Sequence, residues 1–151
     1  MRIVPYQPRY RDAFRDLNLE WITTHFEIEE EDRRVLGDPE RYVLAPGGAI
    51  LFALGDDGEP VGTGALLQVR AGVYELAKMA VAPRARGRGV GRALGEALVQ
   101  LARDRGAARI ELLSHRSLAP ALALYRSLGF REVRMVATAY RRADVRMELV
   151  L

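Results

Sequence analysis

The stretch from Val73 to Leu113 constrains the fold more than any other part of this sequence. Residues Val73–Val81 favour a strand, and Pro83 ends it before a glycine-rich loop. The loop leads into a run whose apolar residues recur at three- and four-residue spacing, which predicts an amphipathic helix. A second strand-forming run, Arg109–Leu113, follows Gly106. Strand, helix and strand in this order predict one parallel crossover.

The flanking segments predict antiparallel pairing around that crossover. Strand runs at Ala49–Leu54 and Val61–Val69 are separated by an Asp-Gly turn, which is a hairpin signal. The remaining predicted elements are strands at Arg2–Tyr6, Phe130–Val136 and Val145–Val150 and helices at Tyr10–Thr24, Ile28–Leu36 and Leu118–Leu128. The expected fold class is α+β, with a mixed, mostly antiparallel central sheet of about seven strands and helices on both faces.

Length and composition narrow the classes of protein. The 151 residues suit a single domain spanning 1–151. The absence of cysteine excludes a disulfide framework, a thiolate zinc site and a cysteine nucleophile. The amino terminus has no apolar signal-peptide core, and no stretch has 18 consecutive apolar residues. We therefore expect a cytoplasmic protein that binds neither a membrane nor a metal.

The glycine-rich loop Arg86–Gly91 predicts an anion site. Three glycines in five residues allow a tight turn and the close approach of a ligand. Free N–H groups at the start of the following helix attract anions. Four arginines and no acidic residue lie between Pro83 and Gly95, as a pyrophosphate cradle would require. The same clustering argues against a nucleic-acid binder, whose arginines would spread along an exposed face.

Two familiar phosphate loops do not match this segment. A P-loop requires Gly-Lys-Ser/Thr, which is absent. A dinucleotide fingerprint beginning at Gly87 would require glycine where Arg92 stands.

Two stretches resemble motifs of the GNAT family of N-acetyltransferases. The stretch ELAKMAVAPRARGRGVGRAL resembles the family's acetyl-CoA motif, whose Arg/Gln-x-x-Gly-x-Gly/Ala consensus is matched by Arg86, Gly89 and Gly91. The stretch APALALYRSLGFREV resembles the second motif, with a tyrosine before the helix end and Gly-Phe after it. The order of elements also matches along nearly the whole chain.

The resemblance implies where acetyl-CoA would bind. The strands Val73–Val81 and Arg109–Leu113 would splay apart, and pantetheine would lie between them like an added strand. The implied contacts are Met79, Ala80 and Val81 for pantetheine and Arg86, Gly87, Arg88, Gly89, Val90, Gly91 and Arg92 for the pyrophosphate. The family often has asparagine just after the fifth strand, where this chain has Ser114 and His115. His115 can donate and accept hydrogen bonds in its place.

Tyr125 is the candidate acid. The resemblance places its hydroxyl near the coenzyme sulfur, where it would protonate the departing thiolate. By spacing alone it is also a packing residue, because it shares a helical face with Leu118 and Leu122.

Glu75 is the candidate base. A carboxylate at the matching strand position serves some family members as a base, directly or through water. The alternative is a salt bridge to Arg70 or Arg109. Strict strand alternation places Tyr74, Leu76, Lys78 and Ala80 on one face and Glu75, Ala77, Met79 and Val81 on the other.

The resemblance implies an N-acetyltransferase that moves an acetyl group from acetyl-CoA to a primary amine of a small molecule or protein, by direct transfer in a ternary complex. A non-catalytic acyl-CoA-binding or sensing domain on the same fold is the alternative, and a homodimer is left open. His25 and the acidic run Glu27–Asp32 would border the acceptor pocket. That run is either an attractant for a cationic amine or a solvated helix start.

Overall fold

The computed structural model describes all 151 residues. Seven strands form one sheet, in the spatial order first, second, third, fourth, fifth, seventh and sixth. The strands are β1 Arg2–Pro5, β2 Ala49–Leu54, β3 Pro60–Arg70, β4 Val73–Val81, β5 Arg109–Ser114, β6 Arg131–Val133 and β7 Val145–Val150. The helices are α1 Arg11–His25, α2 Glu30–Gly37, α3 Val90–Asp104 and α4 Ala119–Ser127.

All neighbouring strands are antiparallel except β4 and β5, which are parallel and are joined through α3. The mixed, mostly antiparallel sheet predicted from the sequence is therefore confirmed. Single helical turns at Pro8–Tyr10, Glu40–Leu44 and Pro83–Ala85 complete the connections.

Helices cover both faces of the sheet. On one face, Phe14 and Ile22 of α1 and Val35 of α2 pack with Phe52 and other residues of β2 and β3. On the opposite face, Leu98 of α3 and Leu122 of α4 pack over β4, β5 and β7. Because each helix buries one apolar stripe, the two layers hold the sheet from both sides.

One predicted strand is much shorter than expected. The run Phe130–Val136 was predicted as a strand, but only Arg131–Val133 pairs with β7. Beyond Val133 the chain leaves the sheet and crosses to α2, where the backbone N–H of Arg141 donates to Glu29 at 2.7 Å. Residues 134–144, the crossing segment, therefore lie outside the sheet and contact the start of α2.

Candidate active site

A cleft opens where β4 and β5 separate. The two strands pair only from Val73–Arg109 to Leu76–Leu112. Beyond that point β4 stays paired with β3, whereas β5 stays paired with β7, so the two strands diverge. The cleft has a volume of about 790 Å³. The splay predicted from the resemblance is thus present, and its β4 side offers backbone groups of Ala77–Val81 that β5 does not use.

The amino terminus of α3 forms one end of the cleft. Gly89 caps the helix with a left-handed φ of 79°, and Gly87 also has a positive φ, of 76°. Side-chain-bearing residues rarely adopt these angles, so the turn itself requires glycine at both positions. The first backbone N–H groups of α3 have no partner within the helix and are available to an anion.

The predicted cofactor contacts gather around this cleft, with one exception. All of them except Arg88 border it: Met79, Ala80, Val81, Arg86, Gly87, Gly89, Val90, Gly91, Arg92, His115 and Tyr125. The Arg88 side chain lies on the exposed outer side of the turn.

Two arginines at the rim of this end are held by other side chains. The Arg86 guanidinium donates to the carbonyl of Val81 at 3.2 Å and to Glu20 at 2.9 Å. Arg92 pairs with Glu96 at 3.0 Å and donates to Ser127 at 2.8 Å. Both pairs are solvent-exposed, and such pairs contribute about 1 kcal/mol or less, so a phosphate can compete for these guanidinium groups.

Substitution of Gly91, at the start of α3, tests whether acetyl-CoA binds at this end of the cleft. A Cβ at this position would lie 3.4 Å from Leu124 of α4 and 3.8 Å from Val81 of β4, which is ordinary contact. A longer side chain would project between these walls. We expect Gly91→Leu to weaken acetyl-CoA binding by about tenfold or more, equivalent to about 1.4 kcal/mol. Gly91→Ala is the matched control and should retain most of the affinity in calorimetry; equal affinities for both variants would contradict the assignment.

A β-bulge in β4 changes which side chains face α1 and α2. Lys78 and Met79 together stand opposite Gly64, and Lys78 has a left-handed φ of 57°. The extra residue resets the alternation, so Met79 faces α3, where its sulfur packs beside Gly64. Glu75 instead lies on the opposite face with Lys78. The prediction that Glu75 shares a face with Met79 is wrong, because it assumed an unbroken strand.

The Glu75 carboxylate has no ion-pair or hydrogen-bond partner. The predicted salt bridges to Arg70 and Arg109 are wrong, because both arginines bind Glu111, at 2.9 and 3.2 Å. Burial raises the pKa of Glu75 to about 7. The charge of Lys78 lowers this pKa, whereas the charges of Glu111 and Glu31 raise it further. A partly buried, unpaired carboxyl group with a near-neutral pKa borders the cleft.

Next to Glu75 lies a buried charge network that the sequence did not predict. Lys78 pairs with Asp32 of α2 at 2.5 Å, and both side chains are almost fully buried. Arg142 of the crossing segment holds the same carboxylate with two bonds of 2.6 and 2.7 Å. Burial alone would raise the pKa of Asp32, but these two cations outweigh it and hold the pKa far below the usual range. Burial lowers the pKa of Lys78, against the attraction of Asp32.

Tyr140 completes the wall around this network. Its ring centre lies 4.6 Å from the Arg142 guanidinium carbon and 4.7 Å from the Lys78 ammonium. Cations at these distances attract an aromatic face. The Asn18 amide of α1 also donates to the Lys78 carbonyl at 3.2 Å, which anchors the bulge. One signal for this cluster was present in the sequence: Lys78 is its only lysine and lies in a strand whose one other charged residue is Glu75.

The acidic run Glu27–Asp32 is partly exposed and partly buried. Glu27 and Glu30 are exposed, as expected for a solvated helix start. Asp32 is fully buried, so the solvated interpretation is wrong for that residue. Glu29 and Asp32 form a capping box at the start of α2, and Arg142 contacts both. His25 borders the cleft.

Tyr125 lies on α4 at the opposite wall of the cleft. Its ring packs edge-on against Phe130, with centroids 6.1 Å apart. Its hydroxyl has no hydrogen-bond partner within the protein, and burial raises its pKa to about 12. The group therefore stays protonated at neutral pH. The ring packs as its helical spacing predicts, and the role of the hydroxyl as an acid stays a prediction.

His115 borders the cleft but is engaged by its own neighbours. Its Nδ1 accepts from the backbone N–H of Ser117 at 3.0 Å, and its Nε2 lies 3.4 Å from Asp144. Its ring also packs edge-on against Phe26. A hydrogen bond from His115 to a coenzyme would require one of these contacts to be exchanged.

The chain belongs to the acetyltransferase (GNAT) family, whose family model matches residues 10–130. This class agrees with the splayed sheet and the anion-binding turn described above. Among curated proteins none matches the chain significantly. No helix combines the length and the apolar character needed to cross a membrane.

Solved structures show the same fold at low sequence identity. A GNAT-family acetyltransferase from Staphylococcus aureus Mu50 is 20% identical, with a TM-score of 0.88 over 97% of this chain and 96% of its own. A ribosomal-protein-alanine N-acetyltransferase from Brucella melitensis is 23% identical, with a TM-score of 0.79 over 100% of both chains. A phosphinothricin acetyltransferase from Sinorhizobium meliloti, in complex with acetyl-CoA, is 19% identical, with a TM-score of 0.80 over 99% of this chain and 88% of its own.

Proposed function

We propose that this protein transfers an acetyl group from acetyl-CoA to a primary amine by direct transfer in a ternary complex. The observation that carries the proposal is the partly buried, unpaired Glu75 carboxylate at the point where β4 and β5 diverge. An amine must lose a proton before it can attack, and a carboxyl group with a pKa of about 7 suits that task at neutral pH.

The cleft offers groups that fit each part of acetyl-CoA. The edge of Met79–Val81 that β5 does not use can bond pantetheine as an added strand would. The amino terminus of α3 can hold the pyrophosphate, with Arg86 and Arg92 at its rim. The co-substrate supplies a thioester, whose carbonyl carbon accepts the amine nitrogen. The related fold from Sinorhizobium meliloti, solved with acetyl-CoA, supports this assignment.

Glu75 and Tyr125 divide the proton transfers between them. Glu75 takes a proton from the ammonium group, directly or through water, so that the nitrogen can form its bond to the carbonyl carbon. When the carbon–sulfur bond breaks, the thiolate takes the proton of the Tyr125 hydroxyl. The second proton that the nitrogen loses as the amide forms returns to the Tyr125 oxygen, directly or through water, and the proton held by Glu75 leaves to solvent. These two groups lie on opposite sides of the diverging strands, with Glu75 on the α1/α2 face and Tyr125 on α4.

Glu75→Gln tests the base. In the wild type we expect kcat/KM to rise as the pH rises through about 7, because only the ionised carboxylate accepts a proton. The glutamine variant should lose this limb, be most impaired at neutral pH and recover towards the wild type near pH ~10, where an alkylamine is largely neutral. A pH-independent loss would indicate that Glu75 acts by positioning, and full activity would remove its role as base.

Glu111→Gln is the matched control for this experiment. The Glu111 charge helps to raise the pKa of Glu75 from the neighbouring strand, without bordering the main cleft. Its removal should shift the low-pH limb to lower pH without abolishing it. Measured release of CoA in the wild type would also exclude a domain that only binds acyl-CoA.

A further inference from the structure

A second, smaller cavity lies beside the main cleft. It has a volume of about 200 Å³ and sits on the sheet face that α1 and α2 cover. Its walls come from α2, β3, β4, β5, β7 and the crossing segment. Only Glu75, Leu113 and Tyr140 border both spaces. The Glu75 carboxylate therefore stands where the side cavity meets the cleft.

The lining of the side cavity is about half apolar and half polar, and one of its charged groups is unpaired. The aliphatic lining residues are Leu67, Leu112, Leu113, Val136, Ala137 and Ala139. Its charged groups are mostly neutralised: Glu111 is held by Arg70, Arg109 and Arg146, and Glu31 lies 3.5 Å from Arg34. Glu75 is thus the one carboxylate of the lining without a partner. The aliphatic residues of this lining can contact an apolar body, and the unpaired Glu75 carboxylate can pair with a single ammonium group.

The volume of the side cavity limits the size of the molecule that it can hold. An apolar cavity of roughly 150 Å³ accommodates benzene, so this side cavity suits a molecule of about ten non-hydrogen atoms or fewer. The main chain of a peptide does not fit such a space. A peptide amine would have to enter instead through the cleft mouth beside Trp21, His25 and Phe26.

The wall that encloses the side cavity is held in place. The Thr138 hydroxyl donates to the carbonyl of Tyr140 at 2.9 Å and accepts from its N–H at 3.1 Å. The next residues are fastened to α2 by the bonds of Arg141 to Glu29 and of Arg142 to Asp32. The side cavity is therefore formed before any acceptor arrives, which lowers the entropic cost of binding.

We propose that the side cavity is the acceptor site and that the acceptor is a compact primary amine with an apolar body. In this arrangement the amine reaches Glu75 from the α1/α2 face, whereas the thioester lies in the main cleft. This inference rests on the proposed acetyl transfer and adds to it the class of acceptor.

The test compares acceptors of different size with acetyl-CoA at a fixed concentration. CoA release is measured with butylamine, benzylamine and phenethylamine, and with peptides whose only primary amine is the free amino terminus. We expect turnover of the small amines and none of the peptides. Ala137→Trp should raise the KM for the small amines about tenfold or more, because its indole would fill the side cavity. Its acetyl-CoA affinity should remain that of the wild type.

Ala71→Trp is the control, because Ala71 is exposed in the β3–β4 turn and borders neither cavity. Turnover of peptides but not of small amines would overturn the inference and leave acetyl transfer standing. Turnover of small amines that Ala137→Trp leaves unchanged would also overturn it. If acetyl-CoA binds but no amine releases CoA, the proposed function fails, and the inference fails with it.

Discussion

Tyr125→Phe is expected to lower kcat by roughly 10²–10⁴, the usual contribution of a positioned general acid. The substitution removes only the hydroxyl, which has no hydrogen-bond partner within the protein and a pKa of about 12. The ring would keep its edge-on contact with Phe130, so the fold should be unaffected. The acetyl-CoA Kd should change little, because the lost interaction forms as the thiolate departs.

The experiment combines steady-state kinetics with calorimetry, and Tyr74→Phe is its matched control. The Tyr74 ring is also buried against the sheet, but it borders neither cavity. A normal kcat for Tyr125→Phe, in single-turnover measurements that isolate the chemical step, would reduce Tyr125 to a packing residue. A comparable loss in both variants would point to a general effect of removing a buried hydroxyl group.

Much of the cleft was predictable because its signals are local. Gly87 and Gly89 take left-handed angles that few other residues adopt, and the turn lies between a strand and an amphipathic helix. A parallel crossover follows from the order of these elements alone. The sequence therefore located the glycine-rich end of the cleft, and of the residues predicted to contact the coenzyme only Arg88 lies outside the lining.

The arrangement around Glu75 and Lys78 was not predictable, because the residues that determine it are distant in sequence. No glycine marks the bulge at Lys78, and a left-handed lysine costs about 1–2 kcal/mol relative to an ordinary strand conformation. The side-chain bond to Asp32 spans 46 residues and the carbonyl bond to Asn18 spans 60. Strand alternation could not reveal these partners, so the face of Glu75 was assigned against the wrong neighbours.

A contact distant in sequence also explains why the strand predicted at Phe130–Val136 ends early. The apolar start of the crossing segment, through Val136, resembles a strand, but Arg142 bonds Asp32 across 110 residues of sequence. The chain leaves the sheet after Val133, and Arg142 then binds the buried carboxylate of Asp32, which also pairs with Lys78. The site depends on this contact, because the segment carries Tyr140 and one wall of the side cavity.

Asp32→Ala is expected to lower the free energy of unfolding by about 3–5 kcal/mol, as when one partner of a buried ion pair is removed. Lys78 would be left without a contacting carboxylate in a site where its side chain is 4% exposed, so its buried ammonium would be unpaired or would have to lose its proton. Arg142 would lose both of its short bonds, and α2 would lose half of its capping box. Chemical denaturation measures the change, and Glu31→Ala, which removes a half-buried carboxylate from the same helix, should change stability much less.

The pH dependence and a compensating variant make this prediction specific to charge. The pKa of Asp32 is depressed in the folded state, so its contribution is complete above the unfolded value of about 3.9 and is lost as the pH falls towards the folded value. The stability difference between wild type and Asp32→Ala should therefore be constant near neutral pH and narrow only in acid. Adding Lys78→Met to Asp32→Leu should restore much of the lost stability, because no unpaired lysine then remains buried. If the double variant is as unstable as Asp32→Ala, the loss comes from packing rather than from the stranded charge.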